Sequence, residues 1–200
     1  MSATLDVVVL CGSLRKQSLN RMLAQAAIES MTEAMSAEVV HWETLPPFNA
    51  DLMAVGLPPS VTALRDRIGR ADAVLIVTPE YNYALPGMFK NTLDWLSRCN
   101  PLPLARKPVA LLSATTGPLG GARVQSELRR VLLCLDALVL QKPEIYVGNA
   151  QNKFDSEGRC VDEATRHYLR AQMQAFVSWT KSVSVLDQYL LSKSLSPDTR

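Results

Sequence analysis

The sequence predicts an α/β protein, a parallel sheet with helices on both faces, and three observations carry that expectation. Apolar runs alternate with segments of helical period along the chain. The runs at 7–10 (VVVL), 73–77 (AVLIV) and 109–113 (VALLS) are nearly continuous in apolar residues, as strands covered on both faces must be. All three end in similar punctuation: Gly12-Ser13, Thr78-Pro79 and the stretch 113–116. In an open parallel sheet the ligand crevice lies beyond the carboxyl ends of the strands, where strand order reverses, so these three loops are expected to converge there.

The elements follow in order. Residues 5–11 read as the first strand, 21–35 as a helix, 38–42 as a strand, 60–70 as a helix and 73–77 as a central strand. Residues 87–98 form the next helix, starting after Pro86 and Gly87, where proline's fixed φ suits a helix entry. A strand at 109–113, a helix at 121–135, a strand at 137–140 and a long helix at 162–183 complete the pattern. The segment 43–59 carries four prolines and one glycine and reads as an irregular connection bordering the pocket. Residues 1–185 are expected as a single domain, and 186–200 as a loose C-terminal tail, because apolar character fades after Leu191.

Composition narrows the class. The chain has 200 residues, 48% of them hydrophobic and 20% charged. A chain of that size buries roughly 70% of its unfolded surface. No apolar stretch approaches the roughly 20 residues of a membrane-spanning helix. The N-terminus has no basic region ahead of its apolar run, unlike a signal peptide, so the cytoplasm is the expected compartment. Cys11, Cys99, Cys134 and Cys160 are scattered without metal-ligand spacing and read as reduced, mostly packed thiols. With only His41 and His167 beside them, no metal site is expected. A net charge of +2 from 21 basic and 19 acidic residues, without a basic stripe, argues against nucleic acid as a partner.

The most informative stretch is GSLRKQSLN at 12–20, directly after the first strand. A strand, a glycine, hydroxyls, a guanidinium and then a helix place hydrogen-bond donors around a helix N-terminus, which attracts an anion. Ser and Asn are also ordinary N-cap residues, so a plain capped turn stays open on this string alone. It lacks the Gly-Lys-Ser/Thr of a P-loop, and Gly12 is the only glycine before Gly56, which removes the GxGxxG pattern. What is left is a cradle built mainly from side chains, with Ser13, Ser18 and Asn20 as neutral donors and Arg15 as a forked cation, suited to a phosphate monoester.

The second loop, TPEYNYALPGMFKN at 78–91, is stiffened by Pro79 and Pro86 and presents Glu80, Tyr81, Asn82 and Tyr83 as a flat wall for a planar heterocycle. A surface turn with packed tyrosines is the alternative. Lys90, Asp94 and Trp95 on the following helix read as an intrahelical pair and a packing residue. The third loop, SATTGPLGG at 113–121, has three glycines that let backbone approach a ligand closely.

Together GSLRKQSLN and TPEYNYALPGMFKNTLDW resemble the NADPH-dependent FMN reductase family of flavodoxin-like proteins, which includes bacterial quinone, azo-dye and chromate reductases. The resemblance covers residues 5–140 and implies a doubly wound five-stranded parallel sheet of order 2-1-3-4-5. It implies that Ser13, Arg15, Ser18, Leu19 and Asn20 hold the FMN phosphate, that Pro79, Glu80, Tyr81 and Asn82 line the isoalloxazine ring, and that Ser113 and Gly117 flank it. Ala114, Thr115 and Thr116, standing before Gly117, depart from the family's usual third loop. The implied activity passes a hydride from NADPH to FMN and then electrons to a quinone, azo dye, chromate or free flavin, in ping-pong turnover. The alternative is a flavodoxin-type electron carrier, which ordinarily shows an acidic surplus that this chain lacks. Arg15, Arg123 or a partner-subunit residue are the candidates for recognising the NADPH 2′-phosphate. A homodimer or homotetramer is the implied assembly.

Overall fold

The computed structural model describes residues 4–194. Its sheet is built from β1 (Leu5–Cys11), β2 (Met35–Val39), β3 (Ala73–Val77), β4 (Pro108–Ala114), β5 (Leu138–Val139) and β6 (Ile145–Val147). The strands are parallel in the order β2-β1-β3-β4-β5, and β6 also pairs with β4. The fifth position is thus shared: β5 pairs with Pro108 and Val109, and β6 with Leu112 to Ala114. Between them lies Lys142-Pro143, and a proline lacks the N–H that a continuous ladder needs at that point. Sequence reading missed β6, whose only signal is the short β-forming triplet after Pro143.

The helices are α1 (Leu19–Glu29), α2 (Ala50–Ala54), α3 (Pro59–Arg70), α4 (Gly87–Leu96), α5 (Ala122–Cys134) and α6 (Glu163–Ser194). Strand alternation divides the core in two. Val7 and Val9 of β1, with Leu75 of β3 and Leu112 of β4, face Leu23 and Ala27 of α1 and Leu169, Met173 and Phe176 of α6. Val8, Leu10, Ile76 and Leu111 face Val61 and Ile68 of α3, Phe89 and Leu93 of α4 and Leu128 and Leu132 of α5. Both faces of β1, β3 and β4 are buried, which is why those strands read as unbroken apolar runs.

Three elements differ from the sequence expectation by more than two residues, and the segment 43–59, expected as an irregular connection, carries the short helix α2. The first helix ends at Glu29 rather than at 35, because Met35 is the buried first residue of β2 and pairs with Leu5. The second strand lies at Met35–Val39 rather than 38–42, and Trp42 beyond it turns into the core, 2% exposed. The expected loose tail begins inside α6. Asp162 starts this helix by accepting the Thr165 N–H at 2.8 Å, and no glycine or proline interrupts the chain before Ser194. Residues 195–200 of that tail lie outside the described residues.

Candidate functional site

Strand order reverses between β1 and β3, and the loops after β1, β3 and β4 meet at that point. Gly12 makes the junction possible. Its N–H donates to the Val77 carbonyl at 2.8 Å, and an added Cβ would come within 2.7 Å of Thr78 Oγ1 and 3.2 Å of the Phe89 ring. The loop then turns into α1 through the N-cap Ser18, whose Oγ accepts from the N–H groups of Asn20 (3.1 Å) and Arg21 (3.4 Å). Ser13 is buried, Arg15 is exposed, and among the described residues nothing engages the Ser13 hydroxyl or the Arg15 guanidinium. Free donors at the positive end of a helix, with no acidic residue in its first turn, are suited to a phosphate.

The Asn20 carboxamide is committed differently. Its Nδ2 donates to the Ala114 carbonyl and its Oδ1 accepts the Ala114 N–H, each at 2.9 Å. The side chain therefore joins α1 to the end of β4 and keeps at most its second Nδ2 hydrogen for a ligand.

In the second loop Tyr81 and Ala84 exchange backbone hydrogen bonds of 3.0 Å around Asn82 and Tyr83, both left-handed at φ 52° and 68°. Two consecutive positive φ values define a type I′ turn, in which Asn is at ease and Tyr is strained. The turn places Asn82 at its tip and leaves Tyr83 70% exposed, with the Arg123 guanidinium 4.1 Å from its ring centroid. Glu80 turns inward to α5. Its Oε2 accepts the Val124 N–H at 3.1 Å and its Oε1 lies 3.3 Å from Arg123. The α5 N-cap is Gly121, which has no side chain to offer, so a carboxylate from another loop satisfies that helix end. Lys90 pairs with Asp94 at 2.6 Å within α4, while Trp95 is buried and donates to the Pro46 carbonyl.

In the third loop Ser113 faces inward. Its hydroxyl donates to the Gly120 carbonyl at 2.6 Å and accepts from Gln125 Nε2 at 2.8 Å. The Gly117 carbonyl accepts from Thr115 Oγ1 and from the Asn149 N–H. One cavity of about 150 Å³ is lined by Ser13, Arg15, Ser18, Leu19 and Asn20, by Pro79, Glu80 and Tyr81, and by Ala114, Thr115 and Thr116. Eight of the expected residues are brought together. Asn82, Ser113 and Gly117 stand outside this lining and shape the loops that form it. Ala114, Thr115 and Thr116 were not singled out as site residues, although the stretch 113–116 was expected to converge on the crevice because it lies directly beyond a central strand.

Among the described residues no group of His, Cys, Asp and Glu could hold a metal ion, and no helix is long and apolar enough to cross a membrane. Cys11, Cys99 and Cys160 are buried, and burial pushes each thiol up, away from the reactive thiolate; Cys134 is exposed.

A parallel sheet of order β2-β1-β3-β4-β5, with a cavity at its switch point lined by the loops after β1, β3 and β4, is the flavodoxin-like arrangement. The family model for NADPH-dependent FMN reductase matches residues 5–152, and the chain belongs to that family. It is 43% identical over 188 residues to a quinone reductase of Escherichia coli, covering 92% of this chain and 100% of that protein. It is 41% identical over 181 residues to an NAD(P)H-dependent FMN reductase of Pseudomonas aeruginosa, covering 90% and 98%. Among solved structures it resembles FerB, a flavoenzyme NAD(P)H:(acceptor) oxidoreductase from Paracoccus denitrificans, with a TM-score of 0.82 and 36% identity over 90% of this chain and 98% of that one. The protein is an oxidoreductase dependent on FMN and NAD(P)H. Its residues fit the cofactor: the cavity is lined by an unengaged guanidinium, by Ser13, whose hydroxyl has no partner among the described residues, and by the start of α1, a donor set suited to a phosphate monoester.

Proposed function

We propose that this protein oxidises NAD(P)H and reduces a quinone-type acceptor at a single FMN site, taking donor and acceptor in turn. Two features support this reading: the convergence of three loops on one cavity, and the reductase names of full-length relatives. FMN, when bound, supplies the two-electron chemistry between the nicotinamide and the acceptor. Ser13, Arg15, Ser18 and the Leu19 N–H hold the phosphate, with the second Nδ2 hydrogen of Asn20 beside them, since the Asn20 N–H is given to Ser18 Oγ. Pro79, Glu80, Tyr81 and the Asn82 turn border the ring from one side, with Ala114 to Thr116 opposite, backed by Ser113 and Gly117. Glu80, spent on α5, acts by keeping the aromatic turn in place. Tyr81 and Tyr83, 47% and 70% exposed, offer a flat surface to planar substrates at the mouth. Azo dyes, chromate and free flavin fall within the same open acceptor class.

The cytoplasm is the proposed compartment. A homodimer or homotetramer is the proposed assembly, supported by the exposed Leu133 on α5 and by a groove between α4 and α5 in which Leu93, Leu102 and Val131 are flanked by charged residues of both signs, among them Lys90, Glu127 and Arg130.

Anaerobic mixing of the FMN-loaded protein with NADPH tests the reading. Bleaching of the visible flavin band and its recovery on adding a quinone are the expected results. Parallel double-reciprocal plots for donor and acceptor distinguish alternation from a ternary complex. Bound FMN that NADPH leaves oxidised would make the protein a carrier, and failure to bind FMN would remove the site assignment.

A further inference from the structure

The cradle is braced from behind by a cation that does not line it. Arg21 stands in the first turn of α1, three residues past the Ser18 cap, where the helix dipole disfavours positive charge. Its guanidinium turns back along the loop: Nε donates to the Ser13 carbonyl at 3.3 Å and Nη2 donates to Glu43 Oε1 at 3.2 Å. Glu43 is itself held. Its Oε2 accepts the Trp42 N–H at 2.9 Å, and His41 Nδ1 lies 3.3 Å from its Oε1. The Trp42 indole, in turn, donates to the Cys11 carbonyl at 3.0 Å. The carbonyls on either side of Gly12 are thus each fixed by a side chain, one from Trp42 and one from Arg21, while the Gly12 N–H is tied to Val77. The loop that carries Ser13 and Arg15 is held at its start by three bonds that all lead to neighbouring elements.

We propose that Arg21, clamped by Glu43, is a positioning residue for phosphate binding: it fixes the Ser13 carbonyl and thereby sets the loop that presents Ser13 and Arg15 to the phosphate of FMN. The inference rests on the phosphate reading of the cradle given above. The role needs a planar fork with two donors at a fixed angle, one for Ser13 and one for Glu43, which an ammonium group cannot reproduce. The charge of Arg21 is set against Glu43, so its contribution is geometric rather than a second phosphate contact.

FMN and riboflavin differ by the phosphate alone, and titrating each into the full-length apoprotein while following flavin fluorescence separates a phosphate effect from a general one. Arg21→Met is expected to raise the FMN Kd about tenfold and to leave the riboflavin Kd within about twofold. Arg21→Lys, which keeps the charge without the fork, is expected to match Arg21→Met. Glu43→Gln is expected to weaken FMN less, and combined with Arg21→Met to add little, because both act through one bond chain. Thermal melts of the apoproteins check that the variants fold. Equal losses for FMN and riboflavin would overturn the proposal in favour of a general structural role, and wild-type behaviour of Arg21→Lys would reduce it to charge. Wild-type behaviour of Arg21→Met would remove it. If the wild-type protein binds FMN no more tightly than riboflavin, the phosphate cradle itself fails, a result that Arg15→Ala reads independently of Arg21.

Discussion

Asn20 and Ala114, 94 residues apart, exchange two hydrogen bonds of 2.9 Å in which the side-chain amide pairs with a backbone amide as a neighbouring strand would. Asn20 is 3% exposed, so the pair sits in a low dielectric where both bonds are strong and neither partner has water as an alternative. The contact holds the start of α1 against the end of β4 and places the first and third loops in one frame.

Asn20→Asp removes the donor to the Ala114 carbonyl and sets a carboxylate against it. The expected loss is about 3 kcal/mol of apoprotein stability, read from urea denaturation, because a buried acceptor is orphaned and a charge is left without its partner.

Arg15→Ala leaves the fold untouched and weakens FMN by about 1.5–3 kcal/mol, the worth of a charge-assisted phosphate contact. Riboflavin affinity is the control and is expected to stay at the wild-type value. Equal FMN affinity in wild type and variant would remove Arg15 from the cradle.

Glu80→Ala strips the α5 N-terminus of its acceptor and frees Arg123 and the aromatic turn. A stability loss of about 1 kcal/mol is expected, comparable with deleting an N-cap. Glu80→Gln retains an acceptor but not the charge and is expected to lose less, in an amount that shrinks as salt is added.

Gly12→Ala forces a methyl group to within 2.7 Å of Thr78 Oγ1 and 3.2 Å of the Phe89 ring. Overpacking of this kind costs about 1–3 kcal/mol. Removing the hydroxyl with Thr78→Ala should recover part of the loss, and a double-mutant cycle on thermal stability measures the coupling.

Tyr146 provides a pH test away from the cradle. Burial, and then the hydrogen bond of 2.7 Å to the Glu144 carboxylate, push its phenol from 10.0 up to about 12. A group whose folded pKa is raised stabilises the fold fully below its unfolded pKa, so this contribution is present up to pH 10 and is lost as pH rises towards 12. Ultraviolet titration of tyrosinate should lose its latest-titrating phenol in Tyr146→Phe, and Glu144→Gln should bring that phenol down.

Local pattern made most of the frame legible. The runs around Val8, Leu75 and Leu111 are apolar on both faces because helices cover both faces, so buried parallel strands announced themselves without any knowledge of their neighbours. The position of the cavity followed from the strand ends, and Ser13, Arg15, Ser18 and Tyr81 are among the residues that line it. Asn20 and Ser113 read the same way because their polar groups stand at the same strand ends. Their partners, Ala114 for Asn20, 94 residues away, and Gly120 with Gln125 for Ser113, are chosen by the packing of α1 and α5 against β4, which apolar periodicity does not encode.

The chain by itself therefore determined the α/β class, the order of its main elements apart from α2 and β6, and the three loops that border the cavity, since periodicity, proline and glycine act through neighbours only a few residues away. Tertiary structure decided which polar side chains remain free for a ligand and which are consumed in holding the loops. Arg15 is left unengaged, whereas Asn20, Glu80, Ser113 and Arg21 are bound to distant backbone or carboxylate groups. The physical reason is that a hydrogen bond is settled by proximity in three dimensions, and a buried donor takes the acceptor that folding brings to it.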